Sequence, residues 1–273
     1  MPVTRFAPSP TGPLHLGHAW AAMVARDLGA MHLRIEDIDR QRSKPEWEAA
    51  ILGDLRWLEL DWTGPVMRQS DRMAAYGAAL DRLWAAGLLF PCTCNRRDIL
   101  AAASAPQEGA PLHGPDGVVY PGTCRGAART GPRPEGMALR LDARAVPDLA
   151  WTEAGLPRSM DARRFADTIG DVVVARRDFG TSYHLAVTVD DAAQGIDLVT
   201  RGADLAEATP IHVALQHLLD LPVPAYHHHD LVRDGAGRRL AKRDDARSLA
   251  SYRDAGWTAE ALKTHLRGSR IAP

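Results

Sequence analysis

Two histidines three positions apart, His15 and His18, follow a turn-forming cluster, Pro8-Ser9-Pro10-Thr11-Gly12-Pro13. If a helix starts near Leu14, both imidazoles share one face of its first turn. The backbone N–H groups and positive dipole end of such a turn attract phosphate. Two imidazoles there can donate hydrogen bonds to a polyphosphate. Gly17, which has no Cβ, lets a flat base or ribose lie against the helix backbone. This describes a nucleotide site of a kind other than the glycine-rich P-loop, whose pattern is absent. Helix capping, surface decoration and a two-histidine metal site are the competing readings of the string alone.

A second chemical cluster is formed by Cys92-Thr93-Cys94 and Cys124, the only cysteines of the chain. An odd number argues against a disulfide framework and for reduced thiols or a metal site. Zinc takes four ligands in a tetrahedron, often thiolate-rich when the site is structural. Three cysteines leave one place, which chemistry alone fills with His113 or water. The run His227-His228-His229 is read as structural, because three consecutive residues converge poorly on one ion.

These groups need elements to hold them. Val3 to Phe6 reads as a strand, and a helical pattern runs from Leu14 to about Leu28, where Gly29 breaks it. His32 to Ile35 is a second strand, completing the βαβ unit of a parallel sheet. Ser43, Pro45 and Glu46 resemble a capped helix start, and Trp47, Ile51, Leu55 and Leu58 give that helix a core face. A further helix spans roughly Asp71 to Ala86, with Gly87 as its stop. From about Phe90 to Phe165 few segments are periodic, and Ala, Gly and Pro dominate residues 101–133, which reads as an insertion. Strand patterns return at Gly170–Val174 and Ile196–Arg201, followed by a helix from Leu205 to Leu219. Two short helices are expected between Asp244 and Arg267, the second capped by Thr258.

The bulk composition, 45% apolar and 25% charged, is that of a soluble globular chain. No run of about 18 apolar residues is present, so no membrane span is expected. The start lacks an apolar secretory core, so no signal peptide is expected and the cytoplasm is the expected location. The net charge of −1 does not announce a nucleic-acid binder. Its distribution says more: from Arg233 onward ten Lys or Arg face five Asp or Glu. A basic tail on an acidic body suits a phosphate-bearing partner, although a solvated helical face has the same composition.

Together RFAPSPTG followed by HLGHA, from Arg5 to Ala19, resembles the signature region of class I aminoacyl-tRNA synthetases in its glutamyl version. Leu33-Arg34-Ile35-Glu36-Asp37-Ile38-Asp39 is similar to the LRIEDTD segment of the same family. The region of Tyr183 and the stretch Asp197 to Gly202 continue the likeness, which covers most of the chain up to about Lys242. The resemblance implies an α/β fold: a Rossmann-like parallel sheet of the class I synthetase type, a zinc-bearing α+β insertion and a small helical C-terminal region. The expected division is a discontinuous catalytic domain at 1–89 and 170–232, the insertion at 90–169, and a lysine-loop and helical region at 233–273.

It also implies site residues. Arg5, Ser9, Glu36, Tyr183 and Arg201 match positions that bind glutamate. The chemistry agrees: an arginine fork meets a carboxylate with two parallel hydrogen bonds, and Glu36 suits the ammonium. Arg5 and Arg201 also fall at the ends of expected strands, the edge where open α/β sheets bind ligands. His15, Gly17 and His18 would hold ATP. A second phosphate loop, typified by KMSKS, is matched by Arg239-Leu240-Ala241-Lys242-Arg243, which keeps the fourth-place lysine as Lys242 and the first charge as Arg239 but loses both serines. Cys-x-Cys followed by Tyr-x-x-x-Cys is similar to the zinc site of a truncated glutamyl-synthetase paralogue, which implies Cys92, Cys94, Tyr120 and Cys124 as ligands.

The reaction implied is attack of the glutamate α-carboxylate on the α-phosphorus of ATP. That carboxylate is ionised at neutral pH and needs no general base. His15 and His18 would act from one side and Lys242 from the other, with Mg²⁺ bridging phosphates. Full-length glutamyl enzymes continue into anticodon-reading domains, for which a chain stopping at Pro273 leaves no room. The truncated paralogue it resembles activates L-glutamate without tRNA and transfers it to the queuosine base in the anticodon of tRNA(Asp). Three rivals stay open: a glutamyl-tRNA synthetase charging a tRNA 3′ end, a nucleotidylyltransferase, and a catalytically silent tRNA-binding paralogue.

Overall fold

The computed structural model describes residues 1–103, 113–232 and 247–268. Among them, β1 (Val3–Phe6), α1 (Leu16–Leu28), β2 (Ala30–Ile35), α2 (Pro45–Trp57), β3 (Met67–Arg68), α3 (Met73–Ala85), β4 (Leu89–Cys92) and α4 (Arg96–Ala103) come first. Then follow β5 (His113–Gly114), β6 (Gly117–Val118), β7 (Ala138–Leu141), β8 (Leu149–Glu153), β9 (Leu156–Met160), α5 (Ala162–Thr168) and β10 (Val173–Ala175). The last are α6 (Tyr183–Ala193), β11 (Leu198–Gly202), α7 (Thr209–Leu218), β12 (Ala225–His229), α8 (Leu249–Asp254) and α9 (Ala259–Gly268). Contacts divide the chain into two compact units: Met1–Ser70, Ile196–Asp204 and Tyr226–Pro273 in one, Asp71–Gly195 and Leu205–Ala225 in the other.

In the first unit β1 and β2 are parallel, Val3 opposite Ala30 and Phe6 opposite Leu33, and β2 continues in parallel to β3. The expected βαβ crossover is therefore present. Leu16, Ala19 and Met23 form the buried stripe of α1, at the spacing that puts side chains on one helical face. They pack with Phe6, Leu33, Ile51 and Leu55, and with Leu249, Leu262 and Leu266 from the two tail helices. Each fully buried leucine contributes roughly 2 kcal/mol of apolar transfer, so α8 and α9 belong to the same core as α1. Thr258 caps α9 as expected, its Oγ1 accepting from the Ala261 N–H at 3.1 Å. Gly29 caps the end of α1 in an extended conformation, where a Cβ would collide with the carbonyl oxygen of Pro2. On the other side of β1, the N–H of Val3 donates to Asp197 Oδ1 at 2.7 Å, which sets β11 beside it.

Three boundaries differ from expectation. Helix α1 begins at Leu16, because Leu14 is drawn into the core at 1% exposure and His15 takes the cap. Lys44, not Ser43, occupies the cap position of α2 and makes no side-chain cap bond; Pro45 opens the helix, where its missing N–H costs nothing. The expected helix over Leu205 to Leu219 is split into a 3₁₀ turn, Ala203–Ala208, and α7. Pro210 lacks the N–H that a continuous ladder would require there.

The second unit contains a three-stranded sheet in which β7 is antiparallel to both β4 and β10; Cys92 is opposite Ala138 and Phe90 opposite Arg140. Strands β4 and β10 flank β7 within this unit, which spans Asp71–Gly195 and Leu205–Ala225. Helix α3 buries Tyr76, Leu80, Leu83 and Trp84 and ends at Gly87, whose φ of 71° a glycine takes without strain. Asp190 of α6 is fully buried and accepts from Arg72 Nε at 2.6 Å and from Tyr76 Oη at 2.7 Å. No helix among the described residues is long and apolar enough to cross a membrane.

Candidate active site and metal centre

The mouth of α1 is built by its own histidines. His15 is the N-cap: its Nδ1 accepts from the Gly17 N–H at 3.1 Å, and the His15 N–H donates to His18 Nδ1 at 3.2 Å. The two rings stand 3.9 Å apart, tilted by 39°. This is a reciprocal capping box with imidazoles in the usual Ser and Glu places. With Nδ1 accepting in both, a ring holding one proton must carry it on Nε2. Capping and phosphate binding therefore do not exclude each other, since the cap uses one nitrogen and makes the other a donor. Gly17 lies between them, half-buried. Past the undescribed stretch, Ser248 pairs with His15 across a β-bridge, and the Leu249 N–H donates to the Leu14 carbonyl at 2.8 Å. Arg239 and Lys242 lie outside the described residues.

Four of the five residues expected around glutamate stand in the first unit. Arg5, on β1 and 6% exposed, donates from Nη1 to the Thr200 carbonyl at 2.6 Å, next to Arg201 on β11. Arg201, also 6% exposed, donates from Nε to His228 Nε2 at 3.1 Å and lies 5.3 Å from the Tyr226 ring centroid. The histidine run thus supports an arginine, in keeping with a structural role. Glu36 follows the end of β2; its N–H donates to the Pro8 carbonyl at 3.0 Å, which ties it to the loop of Ser9. Its carboxylate accepts from fully buried Arg34 at 3.3 Å. Ser9 is exposed. Tyr183, the fifth, opens α6 in the second unit, with its ring edge-on to His184 and His212 at 5.5 and 5.9 Å.

The three cysteines converge. Their sulfurs lie within 4.8 Å of one another, the only such group of potential metal ligands among the described residues. Cys94 and Cys124 are 3.5 Å apart, and Tyr120 Oη is 3.5 Å from Cys92 Sγ and 3.3 Å from Cys94 Sγ. Ligands on a tetrahedral zinc, at about 2.3 Å for sulfur and 2.0 Å for oxygen, stand roughly 3.5–3.8 Å from each other. The donor set therefore fits that ion, with Tyr120 and not His113 beside the sulfurs; His113 is exposed on β5 and outside the group. Burial tends to raise the Cys124 thiol, but the Tyr120 hydroxyl and the Thr93 backbone outweigh it and push it down to about 6. Burial, with the neighbouring sulfurs, holds the Tyr120 phenol well above its ordinary range.

Sequence reasoning missed Arg140. It is buried on β7, its Nε 3.3 Å from Cys92 Sγ, its guanidinium carbon 3.8 Å from the Tyr120 ring centroid, and its Nη1 donating to the Asp171 carbonyl at 2.7 Å. An arginine inside the apolar strand Ala138-Leu139-Arg140-Leu141 was the available signal. Arg34, inside Leu33-Arg34-Ile35, carried the same one.

The family model of the class I tRNA synthetases (E and Q), catalytic domain, matches residues 2–111 and 161–271. The chain belongs to this family. The class I synthetase fold accounts for the parallel strands. Among relatives, a glutamyl-Q tRNA(Asp) synthetase of Rhodobacter capsulatus is 61% identical over 269 residues, covering 93% of this chain and 95% of the relative. One of Geobacter sulfurreducens is 44% identical over 259 residues, covering 92% and 79%. A solved glutamate-tRNA synthetase from Elizabethkingia anophelis shares the fold with a TM-score of 0.74 at 23% identity; it is matched over 97% of this chain, which spans only 60% of that longer protein.

Proposed function

We propose that this chain activates L-glutamate with ATP to glutamyl-AMP without tRNA, and then transfers the glutamyl group to the queuosine base in the anticodon of tRNA(Asp). The observation that carries this reading is the 61% identity to a glutamyl-Q tRNA(Asp) synthetase across 95% of that relative's length. The reaction belongs to the cytoplasm, where ATP and tRNA are found.

In the first step the glutamate α-carboxylate attacks the α-phosphorus and pyrophosphate leaves. Alignment and charge stabilisation do the work. Arg5 and Arg201 hold the side-chain carboxylate, Glu36 holds the ammonium, and Ser9 and Tyr183 add hydroxyls. The Nε2–H groups of His15 and His18 donate to the phosphates beside Gly17. Lys242, with Arg239, supplies positive charge to the phosphates as the second phosphate loop. Mg²⁺ bound with ATP supplies further neutralisation of the phosphates.

Cys92, Cys94, Tyr120 and Cys124 hold one structural Zn²⁺, which organises a segment with few buried apolar residues of its own. The supporting features are the sulfur spacing and the Tyr120 hydroxyl between two thiols.

Glutamate-dependent exchange of pyrophosphate into ATP, measured on zinc-loaded protein without tRNA, tests the first step. Absence of exchange would overturn it. Labelling of queuosine-containing tRNA(Asp), set against the same tRNA lacking queuosine and against tRNA(Glu), tests the second. Stable charging of tRNA(Glu) would point instead to a 3′-end synthetase.

A further inference from the structure

We infer that Asp116, His184 and His212 form a hydrogen-bonded chain that positions Tyr183, so that a hairpin beside the cysteine cluster sets the geometry of a substrate-binding side chain. The inference rests on the reading of Tyr183 as a glutamate-binding residue and adds to it residues that no motif assigns.

His184 and His212 are buried, at 8% and 3% exposure, on the neighbouring helices α6 and α7. His184 Nδ1 lies 3.0 Å from His212 Nε2, and His184 Nε2 lies 3.2 Å from Asp116 Oδ1. A carboxylate only accepts, so the proton of the second contact sits on His184 Nε2. With a single ring proton, His184 Nδ1 is an acceptor, and the first contact must be donated by His212 Nε2. Asp116 thereby sets the tautomer of His184 and, through it, the nitrogen that His212 presents to His184. A carboxylate fixes a metal-bound imidazole in the same manner. Tyr183 precedes His184 in the chain and sets its ring edge against both imidazoles. Its orientation at the start of α6 is thus supported by two rings that are themselves held in one state.

The hairpin that carries Asp116 is held firmly. Gly114 and Gly117 pair across the turn Pro115-Asp116. At Gly114 a Cβ would come within 2.6 Å of the Thr168 carbonyl oxygen, so the hairpin lies directly against the end of α5. Asp116 also lines a cavity of about 680 Å³ bordered by Cys92, Cys94 and Tyr120. The turn that orients His184 thus borders the same cavity as the cysteine cluster.

The test uses the full chain, with Asp116→Ala, Asp116→Asn and Tyr183→Phe. Long-range ¹H–¹⁵N spectra of the histidine rings read the tautomers, and pyrophosphate exchange reads KM and kcat. In the parent protein both rings are expected as Nε2–H tautomers. Asp116→Ala is expected to disturb them and to raise KM for glutamate about 3- to 10-fold, with kcat and KM for ATP within about twofold; Asp116→Asn, which keeps an acceptor oxygen, restores both readouts. Unchanged tautomers and KM in Asp116→Ala would overturn the inference. An unchanged KM in Tyr183→Phe, with the tautomer chain intact, would instead remove Tyr183 from the pocket and the positioning role with it.

Discussion

The guanidinium of Arg140 lies over the ring of Tyr120, 3.8 Å from its centroid, while its Nε reaches Cys92 Sγ at 3.3 Å. One buried cation thus touches two of the four groups proposed to hold zinc. Three thiolates and a phenol around Zn²⁺ carry a net charge of −1, which a guanidinium cancels.

Arg140→Met should therefore weaken zinc binding about 10- to 100-fold, the usual scale for losing an outer partner of a metal ligand. Arg140→Lys, which keeps the charge but not the planar stack, should fall between. Competition with a chromophoric chelator measures both. Equal zinc affinity in all three proteins would remove Arg140 from the site.

His15→Asn separates folding from catalysis at the mouth of α1. Asparagine is a good N-cap, so the melting temperature should stay within a few degrees of the parent. The Nε2–H donor is lost, and exchange should fall about 10²-fold or more. His15→Ala should lose activity and about 1 kcal/mol of stability together. Calorimetry and pyrophosphate exchange on the same preparations check the split.

At the amino-acid pocket, Arg201→Lys keeps the charge but loses the fork that matches a carboxylate. KM for glutamate should rise at least about tenfold, with KM for ATP unchanged. Steady-state exchange with each substrate varied in turn decides the matter.

Asp142 offers a pH-dependent test of stability in the second unit. Hydrogen bonds from Arg144 first, and then from Arg129 at 2.8 Å, hold its carboxyl well below the ordinary carboxylate range. A depressed folded-state value means that the stabilisation is complete above the unfolded value of about 3.9 and is lost as pH falls toward the folded one. Asp142→Asn should cost about 1–2 kcal/mol at pH 7, the lower part of the range for a buried charged pair because Arg144 is largely exposed. The gap between parent and variant should shrink below about pH 4. Urea unfolding across pH 3–7 reads it.

What could be seen beforehand was mostly local. Leu16, Ala19 and Met23 repeat at helical spacing, so α1 was visible, as were the strands on either side of it. The sheet of the second unit was not, because it depends on β4 and β10 meeting on either side of β7, strands far apart in the chain. The cysteine cluster was legible from spacing, and Tyr120 from resemblance, yet Arg140 was hidden inside an apolar strand. Asp116 and His184 are 68 residues apart and meet only through the packing of a hairpin against a helix.

Val232 packs on the core beneath α1, and Leu249 is buried in that same core. Leu262 and Leu266 of α9 are buried there too, and α8 starts one residue after Ser248, which is bridged to His15. The tail helices therefore buttress the histidine cap itself, and a substitution that undocks them would be felt at the helix mouth.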